Sequence, residues 1–178
     1  MKNSLIPLIT LFIAMNTFAQ TKVTGNVIKN YGTTFAVPDP DFKTDTSQIF
    51  KVVFNIVDPA EDESEINRYF DSVARFLNMN ENAGVPLKNF DLVMVVHGGA
   101  AMGLLNNETY KEKYDVDNPN LDLLDALHAA NVKVILCGQT AGSRGLSKEN
   151  IWPNTQIALS AMTALVQLQN DGYKLITF

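Results

Sequence analysis

Three apolar runs, FKVVFNIVD (50–58), FDLVMVVHGG (90–99) and NVKVILCGQ (131–139), limit what this chain can become more than any other feature. Each is short, rich in β-branched residues and apolar on both faces, the pattern of a strand buried between two layers. The segments between them have helical spacing instead. DESEINRYFDSVARFLNMN (62–80) sets Ile66, Tyr69, Phe70, Val73, Ala74 and Leu77 on one stripe, and NLDLLDALHAA (120–130) does the same with Leu121, Leu124 and Leu127. Asn118 and Pro119 supply a start signal for the second helix, and ETYKEKYD (108–115) suggests a shorter one ahead of it. Strands alternating with helices predict right-handed crossovers and a three-layer α/β/α domain around a mainly parallel sheet.

Past Pro153, TQIAL (155–159) reads as a short fourth strand, and Ser160 as the cap of a helix AMTALVQLQND ended by Gly172. A helix running straight from Thr155 is the alternative that periodicity leaves open. YKLITF (173–178) closes the chain as an edge strand. Upstream of the domain, taken as residues 49–178, residues 20–48 are polar and carry prolines and turn formers, the composition of an extended arm without a core of its own.

The first nineteen residues read as a secretory signal peptide. Lys2 gives a positive start, Leu5 to Met15 an apolar stretch, and Thr17 and Ala19 the small residues of a cleavage site. That stretch is shorter than the roughly 20 residues a membrane span needs, so no membrane insertion is expected after cleavage. The expected location is periplasmic or secreted. Without Lys2 the chain holds thirteen basic against nineteen acidic residues, a formal charge of −6, which disfavours nucleic acid as a partner. Cys137 is the single cysteine, so no internal disulfide can form, and the thiol is buried and inert, paired with another chain, or reactive.

In an open parallel sheet, ligands bind beyond the carboxyl ends of the strands, where loops and helix N-termini converge. The three apolar runs close with Asp58, His97 and Cys137. His97 follows Asp91 by six residues and Cys137 follows Asn131 by six, so neighbouring strands in matching register would bring imidazole and thiol side by side. A protonated imidazole and the amides of a helix start in GQTAG would favour the thiolate, with Arg144 adding positive potential or holding an anion. Two plainer roles stand beside these. Cys137 can be a small hydrophobe filling a strand end, and His97 a ring that orders the Gly98–Gly99 turn. Gly98, Gly99, Gly138, Gln139, Ser160 and Asp58 complete the set of residues expected to line a ligand site, Asp58 being also a natural turn or cap residue before Pro59.

Other chemistries find little support. HGGAAMG follows a strand as a phosphate loop would, but Ala100 and Leu104-Leu105 stand where the glycine fingerprint or P-loop needs other residues. No CxxC or HExxH spacing suggests a metal, no G-x-S-x-G elbow suggests a serine hydrolase, and no cofactor is expected. The tripeptide Asn107-Glu108-Thr109 fits the glycosylation pattern.

VVHGGA, LLNNETY, DNPN, LCGQTA and ALSAMTALVQLQNDGY, in that order, resemble the DsrE/DsrF-like family in its exported branch, across residues 50–178. The resemblance implies a five-stranded sheet in the order 4-3-2-1-5, with the second strand beside the third. It implies homo-oligomers, and a cysteine after the third strand, here Cys137, that carries sulfane sulfur as a persulfide. The partner would be a small sulfur compound or a sulfur-donor protein. A non-catalytic oligomeric module that binds a small ligand is the alternative.

Overall fold

A computed structural model describes residues 21–178; the expected signal peptide lies outside them. Two very short strands, β1 (Lys22–Val23) and β2 (Thr34–Phe35), pair antiparallel at the start. The domain then runs β3 (Phe50–Ile56), α1 (Arg68–Asn82), β4 (Phe90–Val96), a 3-10 segment (Gly98–Leu104), α2 (Asn107–Tyr114), α3 (Leu121–Ala129), β5 (Lys133–Cys137), α4 (Gly138–Arg144), β6 (Thr155–Ala158), α5 (Ala161–Asn170) and β7 (Lys174–Thr177). The sheet order is β6-β5-β4-β3-β7 and every pairing in it is parallel. Counted along the domain, that is the 4-3-2-1-5 order the resemblance implied. No helix among the described residues is long and apolar enough to cross a membrane.

The two faces of the sheet are covered unequally. On one, Val52, Phe54, Ile56, Leu92, Met94, Val96, Val134 and Leu136 pack against Phe70, Val73, Ala74 and Leu77 of α1 and Leu123, Leu124 and Leu127 of α3. On the other, Val53, Val93, Val95 and Cys137 meet only α5, through Ala161 and Ala164, with Tyr173 beside them. One ten-residue helix is too narrow for a five-stranded sheet, and Ile157, Leu159, Met162 and Val166 stay exposed on or next to it.

Helix α1 departs from the sequence expectation, β6 follows it, and α4 extends it. Helix α1 begins at Arg68, later than the apolar spacing suggested. The Asp62 carboxylate accepts from the Ser64 amide (2.8 Å), and the side chain of Asn67 caps the helix by accepting from Tyr69 N (2.9 Å), so residues 62–67 are a turn. Thr155–Ala158 is a strand and Ser160 caps α5, which removes the longer-helix alternative. The helix start expected in GQTAG after Cys137 is the short helix α4, which runs through Arg144.

The arm also does more than its composition promised. Ile28 is 2% exposed and joins the main core, and the loop between β1 and β2 is pinned to α1 by one amide side chain. Asn78, fully buried, accepts from Ile28 N (3.0 Å) and donates to the carbonyls of Ile28 (3.0 Å), Tyr31 (3.0 Å) and Gly32 (3.3 Å). Gly32 N donates to the Asp71 carboxylate as well (2.7 Å). So residues 21–36 form part of the folded body rather than a free arm.

A polar clamp sits at the amino ends of the strands. Tyr173 Oη donates to Asp91 (2.7 Å), Lys133 Nζ donates to the other carboxylate oxygen (3.1 Å), and Lys51 lies over the Tyr173 ring at 4.8 Å. Burial raises the Asp91 pKa, but the Tyr173 hydroxyl and the two lysines outweigh it and hold the carboxyl below its ordinary value. A carboxyl depressed in the folded state adds stability above its unfolded pKa of about 4, and that stability is lost as pH falls through the folded value. Urea midpoints measured from pH 7 to 2 are therefore expected to fall more steeply for the wild type than for Asp91→Asn, the two curves converging at the acid end.

Candidate functional site

Cys137 is the last residue of β5 and the N-cap of α4, with φ −63° and ψ 118°. The ladder pairs Val96 with Leu136, so one residue further along each strand His97 stands level with Cys137. Alternation turns both toward the α5 side, in line with Val93, Val95 and Ile135. The matched six-residue offsets read from the sequence thus correspond to the actual register. The thiol is 6% exposed.

Helix starts supply the electrostatics of the thiol. Burial raises its pKa, but the Thr140 and Ala161 amides, the Thr140 hydroxyl and the Gln139 amide outweigh that and leave it below its ordinary value. None of these closes a side-chain cap hydrogen bond of the usual kind. Two chain segments contribute, the first turn of α4 and the first residue of α5, because β6 delivers α5 next to the end of β5 through the pair Cys137–Ala158. Gly138 permits that approach: a Cβ there would lie 2.5 Å from the Ala158 carbonyl oxygen and 3.1 Å from that of Leu159. Gln139 Nε2 donates to the same Leu159 carbonyl (3.1 Å).

His97 plays a different electrostatic part from the one its position suggested. Burial pushes the imidazole below its ordinary value, which favours the neutral ring at pH 7 over the protonated one expected to support the thiolate. Its Nε2 donates to Asn55 Oδ1 (2.8 Å) from the neighbouring strand, which leaves Nδ1 as an acceptor. Gly98, at φ +58°, turns the chain under Val57 and donates its amide to Thr140 Oγ1 (3.3 Å), tying the end of β4 to the start of α4. Gly99 lies under Pro59, whose Cδ would be 2.6 Å from any Cβ added there.

The other expected site residues scatter. Ser160 is 7% exposed and its hydroxyl is engaged as the α5 cap, accepting from Thr163 N (3.0 Å) and sharing a hydrogen bond with Thr163 Oγ1 (2.9 Å). The Asp58 carbonyl accepts from Asn67 Nδ2 (2.9 Å), and its exposed carboxylate bears on Arg68. Arg144 ends α4 and lines a separate cavity that includes neither Cys137 nor His97. The phosphate-loop lookalike spends two amides on the end of β3 and the residue after it, His97 N on Ile56 O (3.0 Å) and Ala100 N on Val57 O (2.9 Å), so they are not free to cradle an anion. Among the described residues no cluster of His, Cys, Asp and Glu could hold a metal ion. Asn107 uses its side chain internally, donating to Asp117 (3.0 Å) and accepting from Asn118 N (2.8 Å).

Sequence reasoning missed Asn55 and Thr140. Asn55 did leave a signal, being the one uncharged polar residue inside the first apolar run, on the side chain parity of Val53 and Val57. Thr140 entered only as part of the helix start GQTAG, and its hydroxyl contact with Gly98 left no signal, because it depends on the fold.

Solved structures place the fold among known ones. A protein of unknown function, MTH1491, from Methanobacterium thermoautotrophicum superposes with a TM-score of 0.51 at 18% identity, over 71% of this chain and 97% of that one. The ychN protein from E. coli superposes with a TM-score of 0.51 at 22% identity, over 71% and 98%. At these identities the likeness concerns the fold alone. No functionally curated protein matches the chain. Residues 51–178 match the DsrE/DsrF-like family, and the chain belongs to it.

Proposed function

We propose that this DsrE/DsrF-like protein is an exported sulfur carrier that accepts sulfane sulfur on Cys137. The observation that carries the reading is the convergence of the α4 and α5 amides on one thiol at the carboxyl end of the sheet, which lowers its pKa against the pull of burial. In the step, the Cys137 thiolate attacks the terminal sulfur of a persulfide donor, R–S–SH. The new bond joins the Cys137 sulfur to that atom, the R–S to S bond breaks, and the electron pair leaves with the donor as its thiolate. A proton is redistributed between the two products, and no outside oxidant is required. His97, neutral and with Nδ1 free to accept, is the group proposed to hold that proton, and Asn55 keeps its ring oriented. Gly98, Gly138 and Gln139 shape the loops around the thiol, Gly99 faces the separate cavity under Pro59, and Ser160 fixes α5 so that the Ala161 amide reaches the sulfur. Export rests on the composition of residues 1–19.

The test uses the single thiol. After treatment with glutathione persulfide, mass spectrometry is expected to find one added sulfur on the wild type and none on Cys137→Ser. The pH midpoint of iodoacetamide alkylation is expected below the roughly 8.5 of a free cysteine. An unmodified Cys137, together with an alkylation rate no faster than in urea-unfolded protein, would reject the carrier reading.

A second reading has its own support. With Cys137 only 6% exposed and Ile157, Leu159, Met162 and Val166 bare, a homo-oligomeric module without sulfur transfer also fits. It is the reading left if the labelling fails and the protein sediments as an oligomer.

A further inference from the structure

On the side of the sheet away from α5, a cavity of about 300 Å³ opens at the strand ends between α1, α2 and the 3-10 segment. It is separate from the thiol, and its chemistry is of another kind. Glu63 and Arg144 both line it, and among the described residues neither side chain has an ion pair or hydrogen bond of its own. Tyr110 and Tyr114 form one wall, their ring centroids 4.7 Å apart at 52°. The Tyr110 hydroxyl donates to the Glu63 carbonyl (2.8 Å), which fastens the loop carrying that acid to α2. The Tyr114 phenol senses both charges. Burial raises its pKa, Glu63 raises it further and Arg144 opposes them. Met102 and Pro59 add apolar surface to the lining.

Two opposite charges that share a small cavity without neutralising each other select a ligand with both signs. A plain anion would be drawn by the guanidinium and repelled by the carboxylate, and a plain cation the reverse. The size favours a small ligand, since ligand pockets run from about 300 to 1,000 Å³ and this one lies at the small end. We propose that the cavity binds a free α-amino acid as its zwitterion. The carboxylate meets the Arg144 fork, the ammonium meets Glu63, and an apolar or aromatic side chain packs on Tyr110, Tyr114 and Met102.

Isothermal titration of the purified protein with L-phenylalanine and L-methionine tests this directly. Saturable binding of at least one is expected, weakened at least tenfold when the carboxylate is blocked (L-phenylalaninamide) or the amine is blocked (N-acetyl-L-phenylalanine). Glu63→Gln and Arg144→Gln are each expected to weaken it at least tenfold, and because both side chains are exposed the variants should keep the wild-type near-UV spectrum. Absence of saturable binding by either amino acid would overturn the proposal. So would a blocked derivative that binds as well as its parent, a comparison made on wild-type protein that needs no variant to fold. Persulfide labelling of Cys137 is read separately, so either result can fail while the other stands.

Discussion

Asn78→Ala is expected to lower the unfolding free energy by about 2–4 kcal/mol, because truncation orphans the Ile28 amide and three carbonyls around a fully buried site. The loss stays at that level only if the loop can lift off and hydrate. That gives the prediction a second readout, since residues 21–36 should become open to limited proteolysis in the variant while the rest of the domain stays resistant. The site admits no simple repair from the arm side. A Cβ on Gly25 would fall 1.8 Å from Asn78 Cγ, so Gly25→Ala should mimic the defect. Urea unfolding followed by tryptophan fluorescence measures the stability change, and mass spectrometry of the proteolytic fragments locates the release.

Gly138→Ala should be nearly as damaging, and should strike the thiol as well as the fold. The new methyl would press against the Ala158 carbonyl oxygen at 2.5 Å, a backbone atom in a paired strand that cannot swing aside as a side chain could. Relief requires β6 and the start of α5 to move away from β5, at a cost of about 1–3 kcal/mol for overpacking of this kind. Since the Ala161 amide belongs to the displaced segment, the thiol loses one of the groups that lower its pKa. The alkylation midpoint of Cys137 is therefore expected to shift toward higher pH in the variant. Unchanged stability together with an unchanged midpoint would show that the close approach of β6 has no bearing on the site.

The central strands could be read from the sequence because nothing competes with their signal. β3, β4 and β5 are apolar on both faces, and the equal offsets from Asp91 to His97 and Asn131 to Cys137 anticipated the register that levels them. Ser160 was legible for a local reason, since a cap is specified within four residues. Features that depend on distant partners were not. Asn78 interrupts the apolar stripe of α1 and looks like a surface residue until the arm is laid over it. Helix α4 was legible only as a start in GQTAG, because its glycines lower helix propensity and Gly138 serves another purpose, its contact with β6. The groups acting on the thiol come partly from Ala161, twenty-four positions downstream, and the neutral state of His97 comes from burial, which no spacing rule encodes.

The pairing of β7 with β3 sets an order on assembly. Strand β3 is joined, from Val52–Lys174 to Asn55–Thr177, by residues made long after it. Until they arrive, one flank of β3 presents free amides and carbonyls to any other chain nearby, and the strand carrying Asn55 is held from one side only. Sheet closure over so long a stretch of chain is intrinsically slow. Nascent or C-terminally clipped copies should accordingly be the ones most prone to aggregate by edge-to-edge addition.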